Sequence, residues 1–231
     1  MRDTLTRGLP ELGVSTQHID ALEEFSRLLV AKNEVMNLTG ITQPKEVATL
    51  HLLDSLSLIP LSELAGKKMI DVGTGAGFPG VPLKIALPDA EVTLLDSLNK
   101  RVEFLRESCD QLGLSGVECV HARAEEFGHR EEYDYAVSRA VAALPVLCEL
   151  CLPFVKVGGI FISMKSRLAD EELSEALSGI GTLGGKPRQE QKLTLLGSDE
   201  ELERCLIVID KRSHTPPQFP RAYARILSKP L

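Results

Sequence analysis

The sequence predicts a doubly wound α/β protein, with a mostly parallel seven-stranded sheet, helices on both of its faces and an N-terminal helical extension. From about residue 67 onward, short apolar runs alternate with amphipathic stretches, which is typical of parallel strands joined by helices. The first 64 residues show helical spacing instead, and two apolar runs near the end favour a closing antiparallel pair. We therefore divide the chain into three segments: an extension (1–64), a ligand-binding domain (65–210) and a tail (211–231).

The helical extension is predicted from two stretches. In the first, where Ser15 or Thr16 is available as N-cap, apolar residues recur at helical spacing: Ile19, Leu22, Phe25 and Leu29. The second stretch begins at Pro44, a favourable residue for the first turn of a helix, and runs to about Ser57. Its apolar side chains point nearly all round the helix axis, so we expect this helix to be largely buried.

Length and composition indicate a folded protein with one main domain. The chain has 231 residues, 43% of them hydrophobic and 26% charged, which is ordinary for a globular protein. No apolar run approaches the ~20 residues that a membrane span needs, and the N-terminus lacks the apolar core of a signal peptide. Five cysteines at irregular spacing do not suggest a disulfide framework. We therefore expect a cytoplasmic protein with no membrane partner, and we assume a monomer.

Formal charge is distributed unevenly along the chain. The whole chain carries −7, which by itself argues against a nucleic-acid partner. The tail, however, contains basic residues and no acidic one: Lys211, Arg212, Arg221, Arg225 and Lys229. A tail of charge +5 on a body of charge −12 is either a solvated terminus or a local contact for phosphate groups.

The most informative segment is 70–80, which reads IDVGTGAGFPG and predicts a buried strand, a glycine-rich turn and the start of a helix. Glycine permits positive φ and lets a ligand approach the main chain, although nicotinamide and flavin enzymes use similar turns. A second acid, Asp96, ends the next predicted strand about 20 residues further on, where a carboxylate can accept the ribose hydroxyls of an adenosine. The segment therefore predicts an adenosine-containing cofactor.

Asp71 favours S-adenosylmethionine over a dinucleotide. We expect it to put negative charge at the mouth of the glycine-rich turn, where it would repel a pyrophosphate. The amino group and the sulfonium of S-adenosylmethionine would be attracted instead. A nicotinamide-dependent oxidoreductase remains an alternative, and binding of NADH compared with S-adenosylhomocysteine separates the two.

Several short motifs together resemble the glucose-inhibited division protein B family. They are DVGTGAGFPG at 71–80, LLDSLNKR at 94–101, RAEE at 123–126 and SRA at 138–140, preceded by NLT at 37–39 and HLLDS at 51–55. The resemblance extends from about Asn37 to Lys165. It implies a Rossmann-like methyltransferase domain that transfers a methyl group from S-adenosylmethionine to N7 of a specific guanine in 16S ribosomal RNA, the RNA of the small subunit.

The resemblance also implies a cofactor site. Four residues would form the loop under the methionine part of the cofactor: Gly73, Gly75, Gly77 and Phe78. Asp96 would hold the ribose, and Ala124 and Glu125 would border the adenine. Arg139 would face both the cofactor and the target base as the catalytic residue. A structural ion pair of Arg139 with Asp71 or Asp134 is the alternative, and the two roles are compatible.

RNA contacts are predicted at five positions: Asn37, His51, Lys165, Arg221 and Arg225. Asn37 and His51 belong to the family-like motifs that would close the site. Arg221 and Arg225 would contact phosphate groups, as would Lys211 and Lys229 of the tail. If the tail is only a solvated end, the RNA-binding face is expected around Lys100, Arg101 and Lys165. The tail departs from the family pattern, because a glycine-containing stretch is replaced here by Ala222-Tyr223-Ala224-Arg225-Ile226.

Missing motifs agree with guanine N7 as the target atom. Enzymes that methylate exocyclic amines often have an Asn/Asp-Pro-Pro-aromatic turn after the fourth strand, where this chain reads Ser138-Arg139-Ala140-Val141. Guanine N7 has an in-plane lone pair and loses no proton, so alignment matters more than a general base. A methyltransferase acting on a small molecule or a protein remains the alternative function.

Two further groups of side chains are interpreted as structural. Cys148 and Cys151 form a C-x-x-C pair, but no second pair or suitably spaced histidines follow, so no metal site is predicted. His51, Asp54 and Ser55 lie within one helical turn without an oxyanion turn, which argues against a catalytic triad. They fit either a buried hydrogen-bonded group or a lid over the cofactor.

Overall fold

The computed structural model describes residues 1–61, 63–139, 141–165, 169–188, 191–196 and 201–231. One central sheet is covered by helices on both faces, which confirms the predicted α/β fold. None of the helices in these ranges is long and apolar enough to cross a membrane.

The first five strands form a parallel sheet. They are β1 (Lys68–Val72), β2 (Glu91–Asp96), β3 (Val117–His121), β4 (Tyr133–Arg139) and β5 (Val155–Lys165). The last strands are β6 (Gly185–Pro187), β7 (Gln191–Leu196) and β8 (Glu201–Lys211), and β8 lies antiparallel to β5. Because β6 and β7 pair with successive halves of β8, they share one edge position, so the sheet has seven positions as predicted.

Helices precede the sheet, connect most of its parallel strands and follow its last strand. They are α1 (Arg2–Glu11), α2 (Ile19–Met36), α3 (Pro44–Glu46), α4 (Asp54–Leu56), α5 (Gly80–Ala86), α6 (Asn99–Gln111), α7 (Leu144–Cys151), α8 (Ala169–Thr182) and α9 (Tyr223–Ser228). The predicted buried helix from Pro44 is continuous from 44 to 56, but its middle turns, Val47–Leu53, are π-helical. Hydrophobic periodicity does not reveal this change. Such π-helical turns occur frequently at functional sites.

The extension and the tail pack on opposite faces of the sheet. Successive side chains of a strand point to opposite faces, so Met69 and Ile70 of β1 belong to two different apolar clusters. The cluster around Met69 includes the helices of the extension, for example through Leu22. The cluster around Ile70 includes α7, α8 and Ile226 of the tail.

The order of the strands places a crevice between β1 and β4. The chain runs outward through β1, β2 and β3, and then returns to add β4 on the other side of β1. Ligands of open α/β sheets bind at the carboxyl ends of the strands beside such a reversal. In this protein that position is occupied by the glycine-rich turn after β1 and by Arg139 at the end of β4.

Candidate functional site

The glycine-rich turn after β1 lies close to the neighbouring strands. The amides of Gly73 and Thr74 both donate to the carbonyl oxygen of Leu95, at 2.9 and 3.0 Å. Gly73 has a φ of 72°, in the left-handed region that favours glycine. A β-carbon on Gly73 would lie 2.6 Å from Cγ2 of Val141, so the space requires glycine. The turn therefore offers main chain to a ligand above it.

Asp71 lies beneath this turn. Its side chain is fully buried, and Oδ2 accepts hydrogen bonds from Oγ1 of Thr74 at 2.7 Å and from the amide of Gly80 at 2.8 Å. Burial raises the pKa of Asp71 to about 6. The expectation that its charge stands at the mouth of the turn is wrong, because the carboxylate joins the turn to the start of α5 instead.

Two adjoining cavities lie above the turn, with volumes of about 390 and 280 Å³. They share Gly73, Asp96, Ser97 and Val141. The first cavity is completed by Leu38, Thr39, His51, Thr74, Gly75, Ala76, Phe78, Arg101 and Arg139. The second cavity is completed by Val72, Leu95, Ala122, Arg123, Ala124, Glu125, Leu150 and Tyr223. An elongated ligand could therefore occupy both cavities and pass Asp96.

Asp96 stands where the two cavities meet. Its Oδ2 accepts the amide of Gly75 and its Oδ1 accepts the amide of Leu98, both at 2.9 Å. Nη1 of Arg101 lies 3.5 Å from Oδ2. A carboxylate has about four lone-pair sites, so these contacts orient Asp96 and still leave acceptors for a ribose diol.

Arg139 lines the first cavity and contacts the helix from 44 to 56. Its Nη1 donates to the carbonyl oxygen of Leu50 at 3.0 Å and to Oδ2 of Asp54 at 2.9 Å. Its Cζ lies 4.9 Å from the centre of the Phe78 ring, a distance at which a cation is attracted to an aromatic face. The β4 strand and the extension therefore meet at Arg139.

The ion pair of Arg139 differs from the predicted one. Its partner is Asp54, rather than Asp71 or Asp134, because the helix of the extension lies over the end of β4. The other carboxylate oxygen of Asp54, Oδ1, accepts from Nε of Arg204 on β8 at 2.7 Å. One nearly buried carboxylate is thus shared by two guanidinium groups.

His51 lies beside Arg139 and is neutral at pH 7. Its ring stacks on Phe78, with centroids 4.4 Å apart, and its Nε2 lies 2.9 Å from Oγ1 of Thr39. Burial and the neighbouring charge of Arg139 lower the pKa of His51 from 6.5 to about 4. The contact with Thr39 joins the first loop to the buried helix at the edge of the first cavity.

The remaining predicted cofactor residues do not all face the cavities. Gly75 and Phe78 line the first cavity, and Ala124 and Glu125 line the second. Gly77 is placed differently: a β-carbon there would lie 2.8 Å from the side chains of both Leu105 and Val81. The structure therefore corrects the role of Gly77 from ligand contact to close packing against α5 and α6.

Asn37 and Lys165, two of the predicted RNA contacts outside the tail, are placed differently, and the RNA contact of the exposed Asn37 stays a prediction. Asn37 ends α2 with a left-handed φ of 51°, a conformation that asparagine tolerates better than most residues, and the chain then turns towards the first cavity. Lys165 is 12% exposed and pairs with Glu172 at 2.7 Å. Its Nζ also donates to the carbonyl oxygen of Ala142 at 2.8 Å. Both contacts hold Lys165 against the protein, which argues against its predicted contact with RNA.

Lys211 and Arg221 anchor the tail to the body of the protein. Lys211 is fully buried at the end of β8, and its Nζ donates to the carbonyl oxygen of Leu152 at 2.7 Å. Arg221 donates to the buried carboxylate of Glu149 through Nε at 2.8 Å and Nη2 at 2.5 Å. The prediction that these two cations contact RNA is wrong. Lys211 donates to a buried carbonyl oxygen, and Arg221 neutralises a buried carboxylate. Arg225 and Lys229 are exposed, and their RNA contacts stay a prediction.

Sequence reasoning missed several residues of the cavities. Arg101 is the last residue of one family-like motif and Val141 directly follows another, so those motifs were the available signal. Tyr223 lies in the segment where the tail departs from the family pattern. Nothing in the sequence indicated that Arg204 would meet Asp54.

Neither cysteine of the C-x-x-C pair lines the two cavities, although Leu150 of the same helix lines the second. Cys148 and Cys151 are fully buried in the apolar cluster around α7, and burial raises the pKa of both thiols. In the part of the chain that the structure describes, no three His, Cys, Asp or Glu side chains are grouped so that they could hold a metal ion.

The fold is similar to that of solved methyltransferases. The precorrin-6y C5,15-methyltransferase of Geobacter metallireducens matches 78% of this chain and 93% of its own, with a TM-score of 0.55 and 13% identity. TYW2 of M. jannaschii, solved in complex with AdoMet, matches 66% of this chain and 72% of its own, with a TM-score of 0.54 and 14% identity. At these identities the similarity establishes the fold.

Sequence relatives identify the family. The chain is 49% identical to the ribosomal RNA small subunit methyltransferase G of Alkaliphilus metalliredigens, over 98% of this chain and 97% of that protein. It is 47% identical to the protein of the same name from Lachnoclostridium phytofermentans, over 100% and 98% of the two chains. The family profile named GidB, described as rRNA small subunit methyltransferase G, matches residues 18–195. The resemblance seen in the motifs is thus confirmed, and the chain belongs to the rRNA small subunit methyltransferase G family.

Proposed function

We propose that this protein transfers a methyl group from S-adenosylmethionine to N7 of a specific guanine in 16S ribosomal RNA, in the cytoplasm. The observation that carries the proposal is the pair of adjoining cavities at the carboxyl ends of β1 and β4, joined at Asp96. Membership of the rRNA small subunit methyltransferase G family supports the substrate class.

The residues around the cavities fit S-adenosylmethionine. A β-carbon on Gly73 would collide with the side chain of Val141, so the turn requires glycine at this position. The cofactor would therefore lie against the main chain of the turn. Asp96 retains acceptor capacity for the ribose. The methionine part would then lie in the first cavity with Arg139 and Phe78, and the adenine in the second.

The first cavity is suited to positioning the target base. S-adenosylmethionine, held by Asp96 and the glycine-rich turn, would supply an electrophilic methyl group. The in-plane lone pair of guanine N7 would bond to this methyl group as its bond to sulfur breaks, S-adenosylhomocysteine would leave, and no proton would be lost. His51, with a pKa of about 4, is a weak base and fits a reaction that needs none. Arg139 is held by Asp54 and Leu50, and a guanidinium can donate to O6, the acceptor beside N7.

RNA phosphates would be met by basic residues around the openings of the cavities. Arg101 and Arg123 line the two cavities with side chains that are 37% and 55% exposed, and Arg225 is exposed on α9. Because the body of the protein is acidic, these local charges would guide the RNA. The reactive base has to be accessible outside a stacked helix, so a loop of the RNA is the expected substrate.

Mapping of 7-methylguanine in 16S ribosomal RNA tests the proposal. RNA from cells with the intact gene, with the gene deleted and with an Arg139→Ala copy is compared after purification of small subunits. We expect one guanine to lose its N7 methyl group in the deletion strain and in the Arg139→Ala strain. An unchanged methylation pattern in the deletion strain would exclude this reaction, and methylation of small molecules or proteins would then be tested.

A further inference from the structure

An aromatic side chain from the tail stands against the second cavity. Tyr223 begins α9 and lines this cavity together with Ala124, Glu125 and Leu150. The inner part of Tyr223 packs against the apolar cluster around α7, while the rest of the half-buried ring borders the cavity. Cζ of Arg123 lies 5.7 Å from the centre of the same ring.

The position of Tyr223 is set by the fold of the tail. Two residues before it, Arg221 forms a buried ion pair with Glu149 of α7, and its main-chain amide donates to the same carboxylate at 2.9 Å. Nη2 of Arg221 also donates to the carbonyl oxygen of Lys229 at 3.1 Å, just beyond the end of α9. Ile226, in the middle of α9, is fully buried. These contacts hold α9 in place from both ends and from its inner face.

The surroundings of the second cavity suit a flat aromatic heterocycle. Ala122 and Ala124 contribute small side chains, Leu150 contributes an apolar surface, and Glu125 supplies a polar group at the border. Asp96, which we assign to the ribose, lies in the shared wall of the two cavities. Aromatic rings stack favourably on nucleobases, and an arginine over a ring adds a cation–π attraction.

We propose that Tyr223 stacks on the adenine ring of the cofactor, so that the C-terminal tail forms one wall of the cofactor site. This inference rests on the proposed use of S-adenosylmethionine. It gives the tail a task in addition to any interaction with RNA. It also explains what the anchoring of Arg221 on Glu149 achieves, since that ion pair sets the distance between α9 and the second cavity.

Equilibrium binding of two adenosine compounds tests the inference. S-adenosylhomocysteine and 5′-methylthioadenosine are titrated by calorimetry into the full-length wild type and into Tyr223→Ala, Tyr223→Phe and Leu227→Ala. Leu227 is the matched control, because it lies on the same helix and is 51% exposed. We expect Tyr223→Ala to weaken both compounds by a similar factor of about tenfold or more. Tyr223→Phe and Leu227→Ala should bind both as the wild type does.

Tyrosine fluorescence gives an independent readout that does not depend on the stability of an alanine variant. The chain has no tryptophan and three tyrosines, and the other two, Tyr133 and Tyr135, are buried in β4. Stacking on adenine should change the emission of the wild type when S-adenosylhomocysteine binds. Tyr223→Phe should bind with unchanged affinity and lose most of that change.

The outcomes separate this inference from the proposed function. If the wild type binds neither compound, the cofactor assignment fails and the inference fails with it. If the wild type binds both compounds, but Tyr223→Ala binds them equally well and the emission change persists in Tyr223→Phe, the cofactor assignment stands and the role of Tyr223 is overturned. A weakening confined to S-adenosylhomocysteine would also overturn it, because both compounds contain the adenine.

Discussion

Three aspartates near the end of the sheet have different tasks because their surroundings differ. Asp71 is fully buried and bonded to Thr74 and Gly80, so it supports the glycine-rich turn. Asp96 is bonded to main-chain amides and still borders both cavities. Asp54 is shared by Arg139 and Arg204. The residue type is the same, and the position of its partners decides whether it supports the fold or meets a ligand.

Replacement of Asp96 tests the ribose assignment. Asp96→Ala should weaken S-adenosylhomocysteine binding by about 1–3 kcal/mol, the range for hydrogen bonds that involve a charged group. Calorimetry on the wild type and the variant measures the difference. Asp71→Asn is the control, since Asp71 contacts the turn from below and its replacement should affect stability more than affinity. Equal affinity in Asp96→Ala and the wild type would contradict the assignment.

Arg139 and Asp54 should differ in their effects on stability. Arg139→Ala leaves Asp54 paired with Arg204, so the fold should persist while the methylation rate falls. Asp54→Ala removes the carboxylate between two cations and should destabilise the protein more than Arg139→Ala does. Urea unfolding and methylation rates of both variants make the comparison. If Arg139→Ala unfolds more easily than Asp54→Ala but keeps its rate per folded molecule, Arg139 is a structural residue.

His51 should make stability depend on pH in a defined window. Its pKa is about 4 in the folded protein and 6.5 when the side chain is solvated, so the unfolded chain binds more protons between these values. The contribution of neutral His51 is therefore fully present above pH 6.5 and is lost as pH falls towards 4. At pH 5.5 the loss is about 1 kcal/mol.

Urea unfolding of the wild type and His51→Gln between pH 7.5 and 5 measures this contribution. The free energy of unfolding of the wild type should fall more steeply with decreasing pH than that of His51→Gln. The pKa of Asp71 is raised to about 6, so its contribution to stability increases as pH falls over part of this range. Both proteins contain Asp71, so the difference between their free energies of unfolding reports on His51. Parallel curves would contradict the lowered pKa of His51.

At the scale of elements, segments that are distant in sequence are joined by buried polar contacts. The helix from 44 to 56 reaches β4 through the carbonyl oxygen of Leu50 and through Asp54. The tail reaches α7 through Arg221 and Glu149, and Lys211 meets the carbonyl oxygen of Leu152 just after that helix. These contacts place the extension at the first cavity and the tail at the second.

Removal of Arg221 should destabilise the protein. Glu149 has no exposed surface, so Arg221→Ala leaves a buried carboxylate without its guanidinium, at a cost of about 3–5 kcal/mol. Arg225→Ala, at an exposed position of the same tail, should change stability by at most about 0.5 kcal/mol. Denaturant unfolding of the two variants measures both effects. Equal unfolding midpoints would mean that the ion pair does not anchor the tail.

At the scale of the whole molecule, an acidic protein has to bind a polyanion. The chain carries −7, and two of the five basic residues of the tail are engaged with Leu152, Glu131 or Glu149. A third, Arg212, pairs with Asp210 at 2.6 Å. The net charge of the tail therefore overstates the charge that it can offer to RNA. Of the four tail residues predicted to contact phosphate groups, Arg225 and Lys229 are the exposed ones.

The salt dependence of RNA methylation tests these two residues. Neutralising Arg225 and Lys229 together should raise the Michaelis constant for RNA and flatten its log–log dependence on salt, by roughly one unit for each phosphate group that is no longer neutralised. The affinity for S-adenosylhomocysteine should hardly change. The wild type and the double alanine variant are compared at several salt concentrations. Identical slopes would place the RNA-binding surface elsewhere, with Lys100 and Arg101 as the next residues to replace.

Much of the fold and of the family assignment could be read from local patterns. The alternation of apolar runs predicted the strands and helices, because burial on a sheet or a helix imposes a period along the chain. The glycine-rich turn and Asp96 could be located because both lie at the carboxyl ends of predicted strands, and strand ends meet at one edge of a parallel sheet. Gly77 was assigned incorrectly because the sequence does not distinguish a glycine that is required for close packing from a glycine that contacts a ligand.

By itself, the sequence determined the α/β class, the seven strand positions, the glycine-rich turn and the family. Those features depend on local periodicity and on motifs of a few residues. The tertiary structure decided which charges are available: it paired Arg139 with Asp54, buried Lys211, joined Arg221 to Glu149 and brought Tyr223 to the second cavity. The physical reason is that a charge or a ring acquires its role from neighbours in space. Those neighbours lie some 70 to 90 positions away along the chain for Arg139 and Arg221.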